Sequence, residues 1–395
     1  MADLERILEE ISVPRPAHSQ ALEQVGIHLK DLLFEWGVPF FTQEFSVRHH
    51  AFFLMGVTVL MLAVLYAVFL AREKPKAALL VFLAALAVIV LEMELYIPTV
   101  SSLLQKPAEN IVVSYDSPKA ARELIFAAHY DSKTDIFDHI QRERIIGLFP
   151  AFVALNVLIC VGSILRGRFS ESGKQMIRRS SWFVGSAYVI YCGIFFSWFG
   201  GYVFLAEDQQ SFGTIDDAGS VVTLLGLAKE IEEGNVALGN SKVTIVLTSG
   251  EETGLQGARA FVKQRQRDPR GFDALPASMI NLEFAGQNGN LIHWQGTGGS
   301  SLGRLEMDSG LAAKINAAWQ EVSGRPMGKE GTISDDSKVF LMAGVPAITI
   351  GHSGIPGMGL AGFHSPLDNL ERANIENLEL LVQTLKRYVE LHDSQ

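Results

Sequence analysis

Four long apolar stretches interrupt a chain that otherwise alternates between helix and strand patterns. They run from Ala51 to Ala71, from Ala77 to Ile97, from Ile145 to Leu165 and from Ser181 to Ala206. Each is close to the roughly 20 residues that a helix needs to cross the hydrocarbon core of a bilayer. Only the second contains charged residues, Glu92 and Glu94. The pattern predicts an integral membrane protein with two transmembrane hairpins, residues 51–97 and 145–206. Buried core helices are the alternative, although soluble cores rarely use uncharged stretches this long.

The remaining residues, 1–50, 98–144 and 207–395, are enough for one large domain. Apolar residues at helical spacing predict helices over Leu4–Ile11 and Ser19–Trp36, a helix from Asp216 to Ile231, and a closing helix over Asn374–Leu391. The pattern also predicts strands at Thr42–Val47, Asn110–Ser114, Leu124–Ala128, Lys242–Thr248 and Ser278–Leu282, the fourth of which is rich in β-branched residues. This alternation predicts an α/β layer structure whose sheet is covered on both faces.

Charge suggests an orientation for the predicted spans. The short connections 72–76 and 166–180 together contain eight Lys or Arg and two Glu, which predicts that these loops are cytoplasmic. The rest of the chain holds 25 basic and 41 acidic residues and is expected outside the cytoplasm, in the periplasm or a lumen. The segment before Ala51 argues against this orientation, because about fifty residues would be translocated ahead of the first span. The only two cysteines, Cys160 and Cys192, fall inside predicted spans and could not form a disulfide bond in the outer domain.

Potential metal ligands follow three of the predicted strands. His129 comes directly after Leu124–Ala128, Glu252 comes shortly after Lys242–Thr248, and Glu283 follows Ser278–Leu282. Open α/β sheets commonly place ligand sites at the carboxyl ends of their strands. Each residue also has an interpretation without a metal. His129 could be an ordinary histidine at the end of a strand, Glu252 an acid at a helix N-terminus, and Glu283 a surface residue that ends a strand.

Two further ligands lie outside strands. Asp216 could cap a helix or bridge two metal ions, and His364 lies in a polar turn. Two histidines and three carboxylates form a ligand set suited to paired zinc ions. Glu251 is then left as the base that takes a proton from activated water. Asp131, two residues after His129, can orient that imidazole through its second nitrogen.

The order HYDS, DDAGS, SGEETGLQGARAF, NLEFAG and FHSPLDN resembles the di-zinc aminopeptidase and glutamate carboxypeptidase family, of the aminopeptidase Y and aminopeptidase S type. The resemblance covers essentially all the sequence outside the predicted spans and implies a mixed, mainly parallel sheet between helices. The ligands it implies are His129 and Glu283 for one zinc ion, Glu252 and His364 for the other, and Asp216 as the bridge. It also implies that Glu251 is the general base, that Asp131 orients His129, and that Asp335 is a candidate support.

Three departures from the family pattern bear on function. Ala218-Gly219-Ser220 replaces the usual Ala-Ser-Gly, and Glu283 stands where many soluble aminopeptidases have aspartate. The third is the 84-residue segment between Asp131 and Asp216, which in soluble relatives is a short loop. A hairpin flanked in sequence by two ligands allows two interpretations. Substrates reach the site along the membrane, or the spans only tether a general aminopeptidase.

Several functions remain open at this stage. An aminopeptidase acting on peptides at the membrane surface leads, with an amidase acting on N-acyl amino acid lipids as the alternative. Glutaminyl cyclases also share the sequence from His129 to Lys133, but the segment from Thr253 to Gly257 lacks the insertion typical of them. A non-catalytic scaffold is disfavoured because all five ligand positions are filled. Membrane lipids are expected partners and nucleic acid is not, whereas the oligomeric state stays open.

Overall fold

The protein folds into two units that interrupt each other in sequence. The computed structural model describes residues 2–137, 139–268, 271–272, 275–298, 304–354 and 361–393. The first unit consists of Met1–His49, Gln105–Lys133 and Ala206–Gln395, and the second of His50–Leu104 and Thr134–Leu205. The second unit thus contains both predicted hairpins up to Leu205, together with residues 98–104 and 134–144.

The first unit is built on a nine-stranded mixed sheet, counted over the described residues, with the order β1-β2-β4-β3-β5-β9-β6-β7 and with β8 beside β6. The strands are β1 (Phe40–Val47), β2 (Lys106–Tyr115), β3 (Arg122–His129), β4 (Ser241–Thr248), β5 (Ala277–Leu282), β6 (Leu291–Thr297), β7 (Leu305–Glu306), β8 (Gly328–Ile333) and β9 (Ala347–His352). Strands β4, β3, β5 and β9 run parallel, whereas β1, β2, β6 and β7 pair antiparallel. The predicted α/β fold with a mixed sheet between helices is confirmed.

Helices of the first unit supply the apolar surfaces that cover this sheet. They are α1 (Ala2–Ile11), α2 (Gln20–Glu35), α9 (Gly219–Glu232), α10 (Gln256–Arg267), α11 (Ser309–Ser323), α12 (Ser337–Met342) and α13 (Ile375–Asp393). Ser19 caps α2, because its side-chain oxygen accepts a hydrogen bond from the Leu22 amide. The central strand β3 is buried along nearly its whole length, as expected of a strand covered on both faces. Leu224 on α9, Phe126 on β3 and Leu385 on α13 belong to one continuous core.

The second unit consists mainly of long apolar helices. They are α3 (Ala51–Ala71), α4 (Pro75–Ile89), α5 (His139–Gly147), α6 (Phe149–Ile164), α7 (Glu171–Trp198) and the short α8 (Gly201–Phe204). Within the described residues, four helical stretches are long and apolar enough to cross a membrane: Ala51–Ala71, Pro75–Glu94, Ile140–Ile164 and Glu171–Trp198. The last begins ten residues before the predicted Ser181, because the polar residues from Glu171 onward are already helical. Ser170 caps this helix through the Gly173 amide.

Candidate metal centre

The carboxyl ends of the parallel strands bring the sequence-predicted residues to one edge of the sheet. His129, the last residue of β3, is in register with Thr248, the last residue of β4. Glu283 directly follows β5, and its amide donates to the Ile350 carbonyl of β9 over 3.0 Å. Glu252 lies in the turn between β4 and α10, which begins only at Gln256. The acids of this turn therefore precede the helix instead of occupying its first turn.

Asp216 lies between two imidazole rings. Its Oδ1 is 3.1 Å from His129 Nε2, and its Oδ2 is 3.2 Å from His364 Nε2. The backbone of Asp216 is non-helical, and α9 starts only at Gly219, so this carboxylate is not a helix cap. Asp368 holds the segment in place, because its carboxylate accepts the amides of Ile215 at 2.7 Å and Asp216 at 3.3 Å.

The spacing of these atoms is close to that of ligand atoms around zinc. His129 Nε2 lies 3.5 Å from Glu283 Oε1, and His364 Nε2 lies 3.0 Å from Glu252 Oε1. Tetrahedral zinc with bonds of about 2.0–2.2 Å separates its ligand atoms by roughly 3.3–3.5 Å. His129 Nε2 and Glu252 Oε1 are buried and have no partner with hydrogen-bond geometry among the described residues. Buried polar atoms normally have partners, so these two atoms have the environment of ligands that face a cation.

The electrostatics of the site favour positive charge between these groups. Burial opposes ionisation of Asp216, but the two neighbouring imidazoles outweigh it and hold the pKa of Asp216 well below its usual range. Burial likewise opposes protonation of His129, and the carboxylates of Asp216 and Glu283 raise the pKa of His129 well above its ordinary value. Burial raises the pKa of Glu283 to about 8. Three carboxylates, those of Asp216, Glu252 and Glu283, thus share two imidazoles, and a bound cation would offset this excess of negative charge.

Residue 131 holds the site through two different groups. His129 Nδ1 lies 3.0 Å from the Asp131 carbonyl oxygen and 3.8 Å from its carboxylate. The carboxylate instead accepts the amides of Glu251 at 3.2 Å and Glu252 at 3.3 Å. Burial raises the pKa of Asp131 to about 6, although those two amides and the His129 imidazole oppose the shift. The ring is therefore oriented mainly by the backbone, while the side chain fixes the turn that bears the glutamates.

Glu251 is buried beside the ligands. One of its carboxylate oxygens lies within 4.8 Å of ligand atoms of His129 and Glu252. Burial is the largest cause that raises the pKa of Glu251 well above its usual value, and the nearby Glu252 and Glu283 add to it. A carboxyl group with a raised pKa is a stronger base, which suits proton transfer near neutral pH.

Several supporting residues lie far apart in the sequence and were not identified from it. Asp217 accepts the amides of His129 and Phe284 and so links the ends of β3 and β5. Asp336 accepts the Thr248 hydroxyl at 2.6 Å at the end of β4. The predicted support, Asp335, accepts the Ser337 amide at 2.9 Å. The sequence does hint at Asp217 and Asp336, because each directly follows an acid, Asp216 or Asp335, that is itself a predicted site residue.

Comparison with known proteins agrees with this arrangement. Residues 197–389 match the family described as Peptidase family M28. No match is found among curated protein sequences. The predicted resemblance to this peptidase family is confirmed over residues 197–389, which include Asp216, Glu252, Glu283 and His364 but not His129.

Solved structures show the same fold at low sequence identity. A leucine aminopeptidase precursor from Bacteroides thetaiotaomicron is 14% identical, with 99% of this chain and 97% of that chain covered and a TM-score of 0.55. A Zn-dependent exopeptidase from Parabacteroides distasonis is 15% identical, with 99% and 98% covered and a TM-score of 0.56. A glutaminyl cyclase from Bacteroides thetaiotaomicron bound to N-acetylhistamine is 13% identical, with 99% and 97% covered and a TM-score of 0.56.

Proposed function

We propose that this chain, which contains a Peptidase family M28 domain, is a membrane-bound zinc aminopeptidase that hydrolyses amide bonds of peptides at the membrane surface. The observation that supports it best is Asp216, whose two oxygens face two different imidazoles at 3.1 and 3.2 Å. A carboxylate shared in this way suits two ions. His129 and Glu283 would hold one ion, and Glu252 and His364 the other.

In this proposal, separate residues hold the metal ions, transfer the proton and position the other groups during hydrolysis. When bound, the zinc ions would polarise the substrate carbonyl and make water more acidic. The carboxylate of Glu251 takes the proton from the attacking water while oxygen bonds to the carbonyl carbon. Glu251 then delivers that proton to the amine nitrogen as the carbon–nitrogen bond breaks. Asp131 keeps Glu251 in position through its amide, and His129 is held by the carbonyl of residue 131.

Replacing Glu251 by glutamine tests the role of the base. Glu251→Gln keeps the size of the side chain but cannot accept the proton, so we expect kcat on aminoacyl amides and dipeptides to fall at least about 100-fold. Bound zinc should stay within about 20% of the unmodified protein, since all five ligands remain. Glu44→Gln, on the exposed face of β1, removes the same charge as a control. Equal activity of the two variants would exclude hydrolysis by this site.

Glutaminyl cyclisation is the second candidate, because a solved glutaminyl cyclase has the same fold and the sequence from His129 to Lys133 resembles one that such cyclases can show. In that reaction the N-terminal amine attacks the glutamine side-chain carbonyl and ammonia leaves. A glutaminyl peptide offered to the enzyme separates the two reactions, since hydrolysis releases free glutamine and cyclisation releases ammonia. About two zinc ions per chain favour the hydrolase, about one favours the cyclase, and none favours a scaffold.

A lipid amide is the remaining alternative for the substrate. The second predicted hairpin lies in sequence between His129 and Asp216, which motivates a route to the site along the membrane. N-acyl amino acid lipids and lipidated peptides should then be cleaved faster in bilayers than short soluble amides. If detergent-solubilised enzyme cleaves short amides as fast as lipidated ones, the spans are better explained as a tether.

A further inference from the structure

A cavity of about 500 Å³ lies among the ends of the four long helices of the second unit. Its lining comes from the C-terminal ends of α3 and α6, the start of α4 and the first half of α7. Leu70, Ile164 and Ile177 give it an aliphatic wall. Ser163 and Ser181 add two hydroxyl oxygens that lie 3.2 Å apart. The two short basic connections of the bundle meet at this end.

The charged lining of the cavity is strongly cationic. It comprises Lys74, Lys76, Arg166 and Arg178, with Glu73 as the one carboxylate among the described lining residues. Glu73 already faces two of these cations, because its oxygens lie 2.7 Å from Arg166 Nη2 and 3.6 Å from Arg178 Nε. Within the described chain, neither Lys74 nor Lys76 forms an ion pair. Two ammonium groups therefore lack the counter-charge that the arginines have.

The lysines are not needed to hold the helices together. The bundle has its own apolar core, in which Tyr66, Phe82 and Tyr188 pack within 5.3–5.7 Å between ring centroids. Lys74 and Lys76 are exposed and are not members of that core. Their clustering beside a cavity instead suits the binding of an anion.

The surroundings of the cavity indicate its depth relative to a bilayer. Trp182 lines the cavity and is 57% exposed. Tryptophan at the end of a span concentrates at the level of the lipid headgroups, where its ring is apolar and its N–H is hydrated. Because its lining includes both aliphatic side chains and ammonium groups, the cavity suits a ligand that is both apolar and anionic.

We propose that this cavity binds the phosphate group of an anionic phospholipid, with Lys74 and Lys76 beside the phosphate and the aliphatic wall against the first acyl carbons. The inference depends on the four helices spanning a membrane and is independent of the metal centre. A free phosphate ester shares the charge chemistry. The aliphatic wall and Trp182 favour the lipid, because a soluble anion would gain nothing from them.

Native mass spectrometry of the full chain in detergent can measure this binding. The probes are phosphatidylglycerol and phosphatidylcholine with identical acyl chains. We expect phosphatidylglycerol to bind at least about tenfold more tightly than phosphatidylcholine. A surface cation is worth about 1 kcal/mol, or about fivefold in affinity, so K74Q/K76Q should weaken phosphatidylglycerol binding by roughly 10- to 30-fold. The affinity for phosphatidylcholine should change less than about twofold.

A matched variant separates the cavity from general surface charge. R72Q/R168Q removes two cations from the same loops, at exposed positions that do not line the cavity, and should weaken binding less than about threefold. Far-UV circular dichroism verifies that both double variants are folded. Equal losses in the two variants, or equal binding of the two lipids, would overturn the proposal. Displacement of the lipid by millimolar glycerol phosphate or inorganic phosphate would also overturn it, by assigning the site to a soluble anion.

Discussion

Arg15 shows how one residue outside the ligand set can shape the metal centre. Its side chain is fully buried and donates hydrogen bonds to five backbone carbonyls, those of Ile11, Val13, Tyr130, Phe212 and Gly213, over 2.7–3.2 Å. Tyr130 follows the ligand His129, and Gly213 begins the segment that contains Asp216. Burial lowers the pKa of Arg15, and the nearby aspartates oppose that shift. Nε and Nη2 each donate to one of these carbonyls, and the two N–H groups of Nη1 are shared among the other three.

Replacing Arg15 by lysine should destabilise the first unit. Lysine has three donors on one nitrogen and leaves buried carbonyls without partners, at about 1–3 kcal/mol for each such group. We expect Arg15→Lys to lower the free energy of unfolding by about 2–4 kcal/mol, measured by denaturant titration of the detergent-solubilised protein. Arg6→Lys, on the surface of α1, is the control and should change it by less than about 0.5 kcal/mol. Similar effects of the two substitutions would show that the five hydrogen bonds add little.

Asp216 and Glu283 should differ in what their loss does to bound metal. Asp216 faces both histidines, whereas Glu283 lies near only His129. Asp216→Asn should therefore leave less than one zinc per chain, and Glu283→Gln about one. Elemental analysis after dialysis against a weak chelator gives the counts, with Glu306→Gln, an exposed position, as the control. Equal zinc loss from both ligand variants would contradict the bridging role of Asp216.

The residues of the site could be predicted from sequence where neighbouring positions form a motif. His129 and Glu252 lie in short motifs, HYDS and SGEETG, whose few neighbouring residues are enough to indicate metal ligands. The role of Asp368 could not be predicted, because its carboxylate acts on the amide of Ile215, 153 positions away. The role of Arg15 was hidden for the same reason, since Gly213 is 198 positions distant. Such contacts depend on the completed fold.

At the scale of elements, local pattern predicted the central parallel strands and missed the strands at one side of the sheet. Strands β3, β4 and β5 lie where the sequence pattern predicted them, with β3 longer by three residues and β4 and β5 by one each. Strand β8 has the sequence GKEGTI and is mostly exposed, and only its last two residues are typical of strands. It is a strand because it pairs in parallel with β6 from Ile292 to Thr297. Pairing between distant segments determined this element.

Glu92 connects the end of the second span to the turn that follows it. Its carboxylate accepts the amide and hydroxyl of Thr99 at 2.6 and 2.7 Å. It also accepts the amide and hydroxyl of Ser101 at 3.1 and 2.5 Å. An acid within an apolar span can mark a pathway through the membrane, or it can lie at the interface. Four hydrogen bonds to one short turn indicate that it holds the segment 99–103.

Glu92→Gln should therefore loosen that turn without affecting catalysis. The amide nitrogen of glutamine cannot accept a hydrogen bond, so at least one donor at Thr99 or Ser101 loses its partner. We expect amide hydrogen exchange in residues 95–104 to accelerate by about fivefold or more, with kcat/KM on a dipeptide amide unchanged within twofold. Glu171→Gln, at the exposed start of α7, is the control. Unchanged exchange together with a large loss of activity would favour a functional role for Glu92.

At the scale of the whole molecule, each unit has its own apolar core. Phe126, Leu224 and Leu385 belong to the core of the first unit, and Tyr66 and Phe82 to that of the second. Two separate cores allow two separate unfolding transitions, so a single melting temperature does not describe the chain. Every candidate metal ligand lies in the first unit. Metal binding should therefore stabilise one unit selectively.

Zinc removal tests this selectivity. Without ions, the carboxylates of Asp216, Glu252 and Glu283 face one another in a buried site, and their repulsion should open the segments around them. We expect chelation to accelerate hydrogen exchange in residues 214–218 and 249–255 by about tenfold or more. Exchange in Ala51–Ala71 and Glu171–Trp198 should change less than twofold.

Added zinc should restore protection and added calcium should not, because calcium prefers six to eight oxygen ligands and this site offers two imidazoles. Faster exchange in the apolar helices as well would mean that the two units unfold together. Unchanged exchange at 214–218 would mean that the ions bind elsewhere.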